Sequence, residues 1–100
     1  VEKEDILNYL VQIKSDLLKN GIERIGLFGS FAKGNADLFS DIDIVIKTSP
    51  TFADKFKGID SFLFLDNLRG SIEEKFKRPV DICDEAGLKN LSVIEDAIYA

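Results

Sequence analysis

Two acids sit at the start of an apolar alternation, and that placement constrains the fold more than any other feature of the chain. Asp41, Asp43 and Val45 alternate with Ile42, Ile44 and Ile46, which is the period of a β-strand. A strand with three isoleucines along one face must bury that face, so the acids occupy the other one. Another apolar run, Arg24 to Phe28, ends at Gly29-Ser30, and ten residues separate Ser30 from Asp41. Strand, glycine-serine turn, loop and acid-bearing strand therefore follow one another within residues 24–46.

Helical periodicity surrounds this centre. Across residues 2–19, Ile6, Leu10, Ile13 and Leu17 recur at helical spacing, with Leu7, Val11 and Leu18 widening the stripe. Asn20-Gly21 supplies the stop. Residues 29–40 read as a loop with one helical turn near Phe31–Lys33. Residues 47–58, punctuated by Ser49-Pro50 and Gly58, read as a loop with some helical content. Asp60 or Ser61 can cap a second long helix running to about Lys77 and buried through Leu65, Leu68, Ile72 and Phe76, although Gly70 weakens it. Pro79 to Cys83 reads as a third strand, and Leu91, Ile94 and Ile98 suggest a closing helix. The order is α-β-loop-β-α-β-α. It predicts a small α/β (α+β) fold, with helices packed on a short mixed sheet.

One hundred residues suffice for a single domain spanning 1–100, with little room for a second, substrate-recognising one. The chain opens at Val1 rather than methionine, so a few native residues are expected before it. Thirteen basic against 18 acidic residues leave a net charge of −5. That balance argues against broad electrostatic binding to DNA or RNA, but not against nucleotides, because bound metal inverts the local field. Without histidine, and with Cys83 the only cysteine, the chain can build neither an intrachain disulfide nor a Cys/His zinc site. A cytoplasmic location is expected. There is no signal-peptide pattern and no apolar run of about 18 residues to span a membrane.

The chemistry suggested by the central segment is specific. Residues two apart on a strand share a face, roughly 6.6–7 Å apart along it, so Asp41 and Asp43 can converge on ions above the strand. Carboxylate oxygens suit Mg²⁺, which also keeps waters and substrate phosphates in its shell. Gly29 lets a phosphate approach the backbone, where the following N–H groups and the Ser30 hydroxyl can donate. Asp81 lies within Pro79-Val80-Asp81-Ile82-Cys83 and opposes Val80 and Ile82. It can join the other acids if its strand lies beside residues 41–46. Lys33 can neutralise a phosphate oxygen, Ser40 can orient the loop before Asp41, and Phe31 or Phe39 can stack on a base. Each signal also has an ordinary reading. Asp41 can cap a loop, Asp43 and Asp81 can be solvated strand residues, Gly29-Ser30 can be a plain turn, Cys83 can be packing, and the phenylalanines at 28, 31, 39, 62, 64 and 76 can be core. Their combination carries more weight, since G-S-x10-D-x-D arises in a random chain of this length on the order of once in a thousand.

The segment GSFAKGNADLFSDIDIVI resembles the minimal nucleotidyltransferases, within the DNA polymerase beta-like nucleotidyltransferase superfamily. These are short prokaryotic proteins, often antitoxins encoded beside HEPN-domain toxins. The likeness is specific from about Ile25 to Ile46 and looser through residues 79–83 to the end. It implies phosphate binding at Gly29 and Ser30, with a basic residue at Lys33 assisting. It implies metal binding at Asp41 and Asp43, with Asp81 the third acid. Phe31 stands where many relatives carry arginine. The implied reaction is attack of an acceptor hydroxyl on the α-phosphate of a nucleoside triphosphate, organised by two Mg²⁺ ions about 3.5–4 Å apart. The implied acceptor is a tyrosine of a HEPN-type toxin, receiving AMP from ATP. Three other readings stand beside this one: an antitoxin that neutralises its partner by binding alone, a transferase acting on a small molecule, and a nucleotide sensor without turnover.

Overall fold

The computed structural model describes residues 1–87 and 96–100. Helix α1 spans Lys3–Lys19. Its N-terminus is tied by the Glu2 N–H, which donates to Asp5 Oδ2 at 3.0 Å. Ile6, Leu10 and Leu17 form its buried stripe. Val11 and Leu18 do not widen it; they are 49% and 61% exposed, because their positions rotate away from the sheet.

Strand β1 (Ile22–Phe28) runs directly into α2 (Gly29–Lys33), the expected helical turn. The loop 34–41 then leads to β2 (Ile42–Thr48). Pro50 opens α3 (Pro50–Lys55), where a fixed φ and a missing N–H cost nothing at the first helical turn. Helix α4 spans Ile59–Phe76 and begins at Gly58, not at an Asp60 or Ser61 cap. The Ser61 hydroxyl instead donates back to the Gly58 carbonyl at 2.9 Å. Strand β3 is Val80–Asp84, followed by a short 3₁₀ turn at Glu85–Gly87.

The final described element corrects one expectation. Ile98 is not helical: Ile98–Tyr99 form strand β4, antiparallel to β1 with Leu27 opposite Ile98 and Gly26 opposite Tyr99. Gly26 admits this pairing, because a β-carbon there would stand 2.8 Å from the Ile98 carbonyl oxygen and 2.9 Å from Tyr99 Cδ1. Tertiary pairing with the open edge of β1 thus overrides the local helical spacing. Leu91 and Ile94 lie outside the described residues.

The sheet order is β3-β2-β1-β4. β1 and β2 are antiparallel, whereas β2 and β3 are parallel, with α3 and α4 forming the crossover between them. The core gathers Ile6, Leu10 and Leu17 of α1, Ile22, Ile25 and Leu27 of β1, Ile42, Ile44 and Ile46 of β2, and Leu68 and Ile72 of α4. The three β2 isoleucines are wholly buried. At about 25 cal/mol per Å², such burial is the main force holding β2 in register. Phe52, Phe56 and Phe64 stack at one end, with ring centres 4.6–5.7 Å apart.

The β4 end is fastened by side chains. Arg24 Nη2 and Nε donate to Glu85 Oε1 and Oε2 at 2.7 and 3.1 Å. The Tyr99 hydroxyl donates to Glu85 Oε1 at 2.8 Å, and the Arg24 guanidinium lies 4.3 Å from the Tyr99 ring centre.

Candidate active site

The site forms where three strands begin or end together. Pairing places Phe28 of β1 opposite Asp43 of β2, and Asp43 beside Asp81 of β3. Asp43 and Asp81 therefore sit side by side on adjacent strands, about 4.8 Å apart along the hydrogen-bonding direction. The ladder starts at this point, with the Ile42 N–H donating to the Pro79 carbonyl at 2.9 Å. Asp41 stands one residue before β2, two positions from Asp43.

The acids are unequally placed. Asp41 and Asp81 are exposed, and Asp43 is half-buried. The Asp43 carboxyl is raised above the ordinary aspartate range, first by burial and then by the charges of Asp81 and Asp41. The same two effects act on Cys83, whose thiol is raised by burial and then by Asp81 and Asp43. A thiol so disfavoured from ionising is a poor nucleophile, which agrees with a packing role.

Gly29 does more than expected. Its φ of +74° suits glycine, and a β-carbon there would collide with Asp43 Oδ2. The glycine therefore makes room for the acid as well as turning the chain. Ser30 follows in the first turn of α2, where backbone N–H groups lack intrahelical acceptors. Lys33, at the other end of α2, is 3.9 Å from Asp96, with both side chains more than half exposed. Exposed pairs of this kind contribute little.

The loop before Asp41 has internal order. The Ser40 hydroxyl accepts from the Asp37 N–H at 2.9 Å and donates to Asp37 Oδ1 at 3.2 Å, while the Phe39 N–H donates to Asp37 Oδ1 at 2.9 Å. Of the two aromatics flanking the loop, Phe31 is 4% exposed and belongs to the core, whereas Phe39 is 90% exposed. Phe62, expected in the core, is 65% exposed, near the start of α4 and away from its buried residues Leu68 and Ile72. It lines a cleft of about 260 Å³ with Leu65, Asp66, Arg69, Asp81 and Ile82.

Two arginines near the acids escaped sequence reasoning. Arg69 donates to Asp66 at 2.6 Å and Glu73 at 2.8 Å. Arg78 donates to backbone carbonyls of the loop that delivers Asp41. The acidic i−3 and i+4 neighbours of Arg69 were a readable signal. For Arg78 no local pattern exists, since its acceptors lie 38 to 41 residues away in sequence.

Does this donor set suit a divalent cation? Among the described residues, no three acidic or sulfur side chains stand close enough to enclose one. The oxygens present are of the hard type Mg²⁺ prefers, and the ionised form of Asp43 is disfavoured first by burial and then by the charges of Asp81 and Asp41. An added dication relieves that repulsion. The acids thus fit an ion whose shell is completed by waters and phosphate oxygens, rather than a closed protein cage.

A glycine-serine turn packed on Asp43, the second of three carboxylates, at the shared end of antiparallel β1–β2 and parallel β2–β3, is the arrangement that the resemblance to nucleotidyltransferases implies. The nucleotidyltransferase domain model matches residues 6–99, and the chain belongs to that family. It is similar to the protein adenylyltransferase MntA of Thermococcus cleftensis, 29% identical over 100 residues that cover 96% of this chain and 93% of that protein. It is also 38% identical over 58 residues to a "putative protein adenylyltransferase" of Methanocaldococcus jannaschii, an alignment covering 53% of this chain but only 59% of that relative's length. A solved structure titled "Structure of putative minimal nucleotidyltransferase" superposes with a TM-score of 0.72 at 26% identity, covering 98% of this chain and 95% of that one. The chain is a nucleotidyltransferase with the mixed α/β fold of the minimal members. Among the described residues no helix is long and apolar enough to cross a membrane.

Proposed function

We propose that this chain transfers AMP from ATP to a hydroxyl of a partner protein, a tyrosine of a HEPN-type toxin, and thereby acts as its antitoxin. The observation that carries this reading is the register of Asp43 with Asp81, beside Asp41 and against Gly29. Carboxylates on two neighbouring strands at the edge of a phosphate-holding turn suit metal-assisted nucleotidyl transfer. The names of the relatives support a protein acceptor.

Each residue then has a task. Asp41, Asp43 and Asp81 would hold Mg²⁺, which when bound neutralises charge on the triphosphate and lowers the pKa of an oxygen it contacts. Ser30 and the backbone following Gly29 hold the β- and γ-phosphates, orienting the leaving group. Lys33 is long enough to add a charge at the rim of that turn. Asp81, exposed and on the outer strand, takes the proton of the acceptor hydroxyl. The acceptor oxygen bonds to the α-phosphorus as the bond from that phosphorus to the bridging oxygen breaks, and pyrophosphate leaves. A tyrosine with an ordinary pKa of about 10 requires such assistance at neutral pH.

The test is transfer of label from α-labelled ATP to the partner in the presence of Mg²⁺. Wild-type chain should label the partner. Asp41→Asn combined with Asp43→Asn should reduce labelling by at least about 100-fold. Undiminished labelling by the double variant would sink the mechanism. Toxin neutralisation retained by that variant would instead assign the antitoxin effect to binding.

A further inference from the structure

Arg78 stands in the connection between α4 and β3, three residues before Asp81, and its side chain is half-buried. Its Nη1 donates toward the carbonyl oxygens of Asp37, Leu38 and Ser40 at 3.1, 3.3 and 3.1 Å. The Ser40 carbonyl belongs to the peptide bond that joins Ser40 to Asp41. One face of the guanidinium lies over Phe31, 5.3 Å from the ring centre, and Phe31 is the buried anchor of the helix that carries Gly29 and Ser30. The adjacent Pro79 carbonyl accepts the Ile42 N–H at 2.9 Å. Residues 78–79 thus grip the chain on both sides of Asp41.

We propose that Arg78 is a positioning residue that fixes the direction in which Asp41 leaves its loop, and thereby the divalent-cation affinity of the acid set. This rests on the nucleotidyl-transfer reading, since it assigns Asp41 to cation binding. Charge-assisted bonds to backbone carbonyls are among the stronger hydrogen bonds in a protein. Without them, the bonds left along residues 34–41, among the described residues, are short-range ones at Gly34, Asn35, Asp37, Phe39 and Ser40. Asp41 then samples several directions, and ordering it becomes part of the cost of binding an ion.

The sign of the effect separates positioning from electrostatics. Arg78 is a cation near acids, so its charge alone opposes a second cation, and removing it would tighten cation binding. Positioning requires the reverse, that removal weakens binding.

The experiment is a Mn²⁺ titration of the full chain without nucleotide, read as paramagnetic broadening of the Asp41, Asp43 and Asp81 amide signals. Arg78→Ala should raise the half-broadening concentration about threefold or more. Arg78→Lys, which keeps donors but loses the flat face over Phe31, should recover part of that loss. The thermal midpoint of each variant is measured alongside, because a merely structural role lowers it without moving the Mn²⁺ midpoint of folded protein. An unchanged or lower Mn²⁺ midpoint in Arg78→Ala overturns the proposal while leaving the nucleotidyl-transfer reading intact. If Arg78→Ala does not fold, Arg78→Gln takes its place with the same expectation and the same overturning result. If the wild type shows no more broadening at the three acids than Asp43→Asn does, cation binding there fails, and the role of Arg78 fails with it.

Discussion

The Asp43 carboxylate occupies the space that a side chain at Gly29 would need. The turn that starts α2 and the acid that starts β2 are therefore one packed unit, and neither can change without the other.

Gly29→Ala tests that unit. Alanine at φ +74° carries the left-handed backbone penalty of about 1–2 kcal/mol, and its β-carbon collides with the acid. The thermal midpoint should fall, and nucleotidyl transfer should drop at least about tenfold. A variant with wild-type activity would mean that Asp43 can relocate freely.

Asp43→Asn should separate stability from activity. The Asp43 carboxyl is raised above the ordinary range by burial, Asp81 and Asp41. Such a group contributes stability that is fully present below its unfolded pKa and is lost as pH rises through its higher folded value. At neutral pH without divalent cation, the asparagine variant should therefore be more stable than wild type, while transfer is lost. Urea denaturation at pH 7 and near pH 4 checks this, with the gap narrowing at the lower pH. Mg²⁺ should narrow it too, by stabilising only the wild type. A variant less stable at pH 7 would contradict the electrostatic account.

The Arg24–Glu85–Tyr99 fastening predicts acid sensitivity at the β4 end. Glu85 is held below the usual glutamate range, chiefly by its hydrogen bond from Arg24 and also by that from Tyr99. Its contribution is present above the unfolded glutamate pKa and is lost as pH falls through the lowered folded value. Amide exchange at Ala100, whose N–H donates to the Ile25 carbonyl at 2.9 Å, should accelerate over that acidic window relative to α1. Glu85→Gln should show the faster exchange already at neutral pH. Equal protection in both proteins at pH 7 would rule out the fastening role.

Phe31 and Phe39 should part company. Phe31→Ala should cost about 3–5 kcal/mol in denaturant unfolding, as expected for a buried phenylalanine. Phe39→Ala should change stability by less than about 0.5 kcal/mol. A large loss at Phe39 would show that its ring is covered in solution.

Much of the fold was legible because its signals are local. The Ile42-Ile44-Ile46 alternation, the α1 stripe and the glycine-serine turn each declare themselves within a few residues, since backbone periodicity decides which side chains share a face. The errors lie where a distant partner intervenes. Ile98 has helical spacing, yet the glycine at 26 opens β1 to it as a strand. Val11, Leu18 and Phe62 are apolar but exposed, because hydrophobicity states what can be buried and not which side the sheet will cover.

The candidate site divides in the same way. By itself the amino-acid sequence determined which groups are present, a flexible turn and three carboxylates, and that Asp41 and Asp43 share one strand. Only the tertiary structure decided that β3 runs parallel to β2 in a register placing Asp81 beside Asp43. It also decided that Gly29 yields its side-chain space to an acid, and that Arg78 reaches back to the loop before Asp41. Register between strands is set by burying Ile42, Ile44 and Ile46 in the shared core together with Val80. That is a sum over many weak contacts between distant segments, which no short stretch of sequence contains.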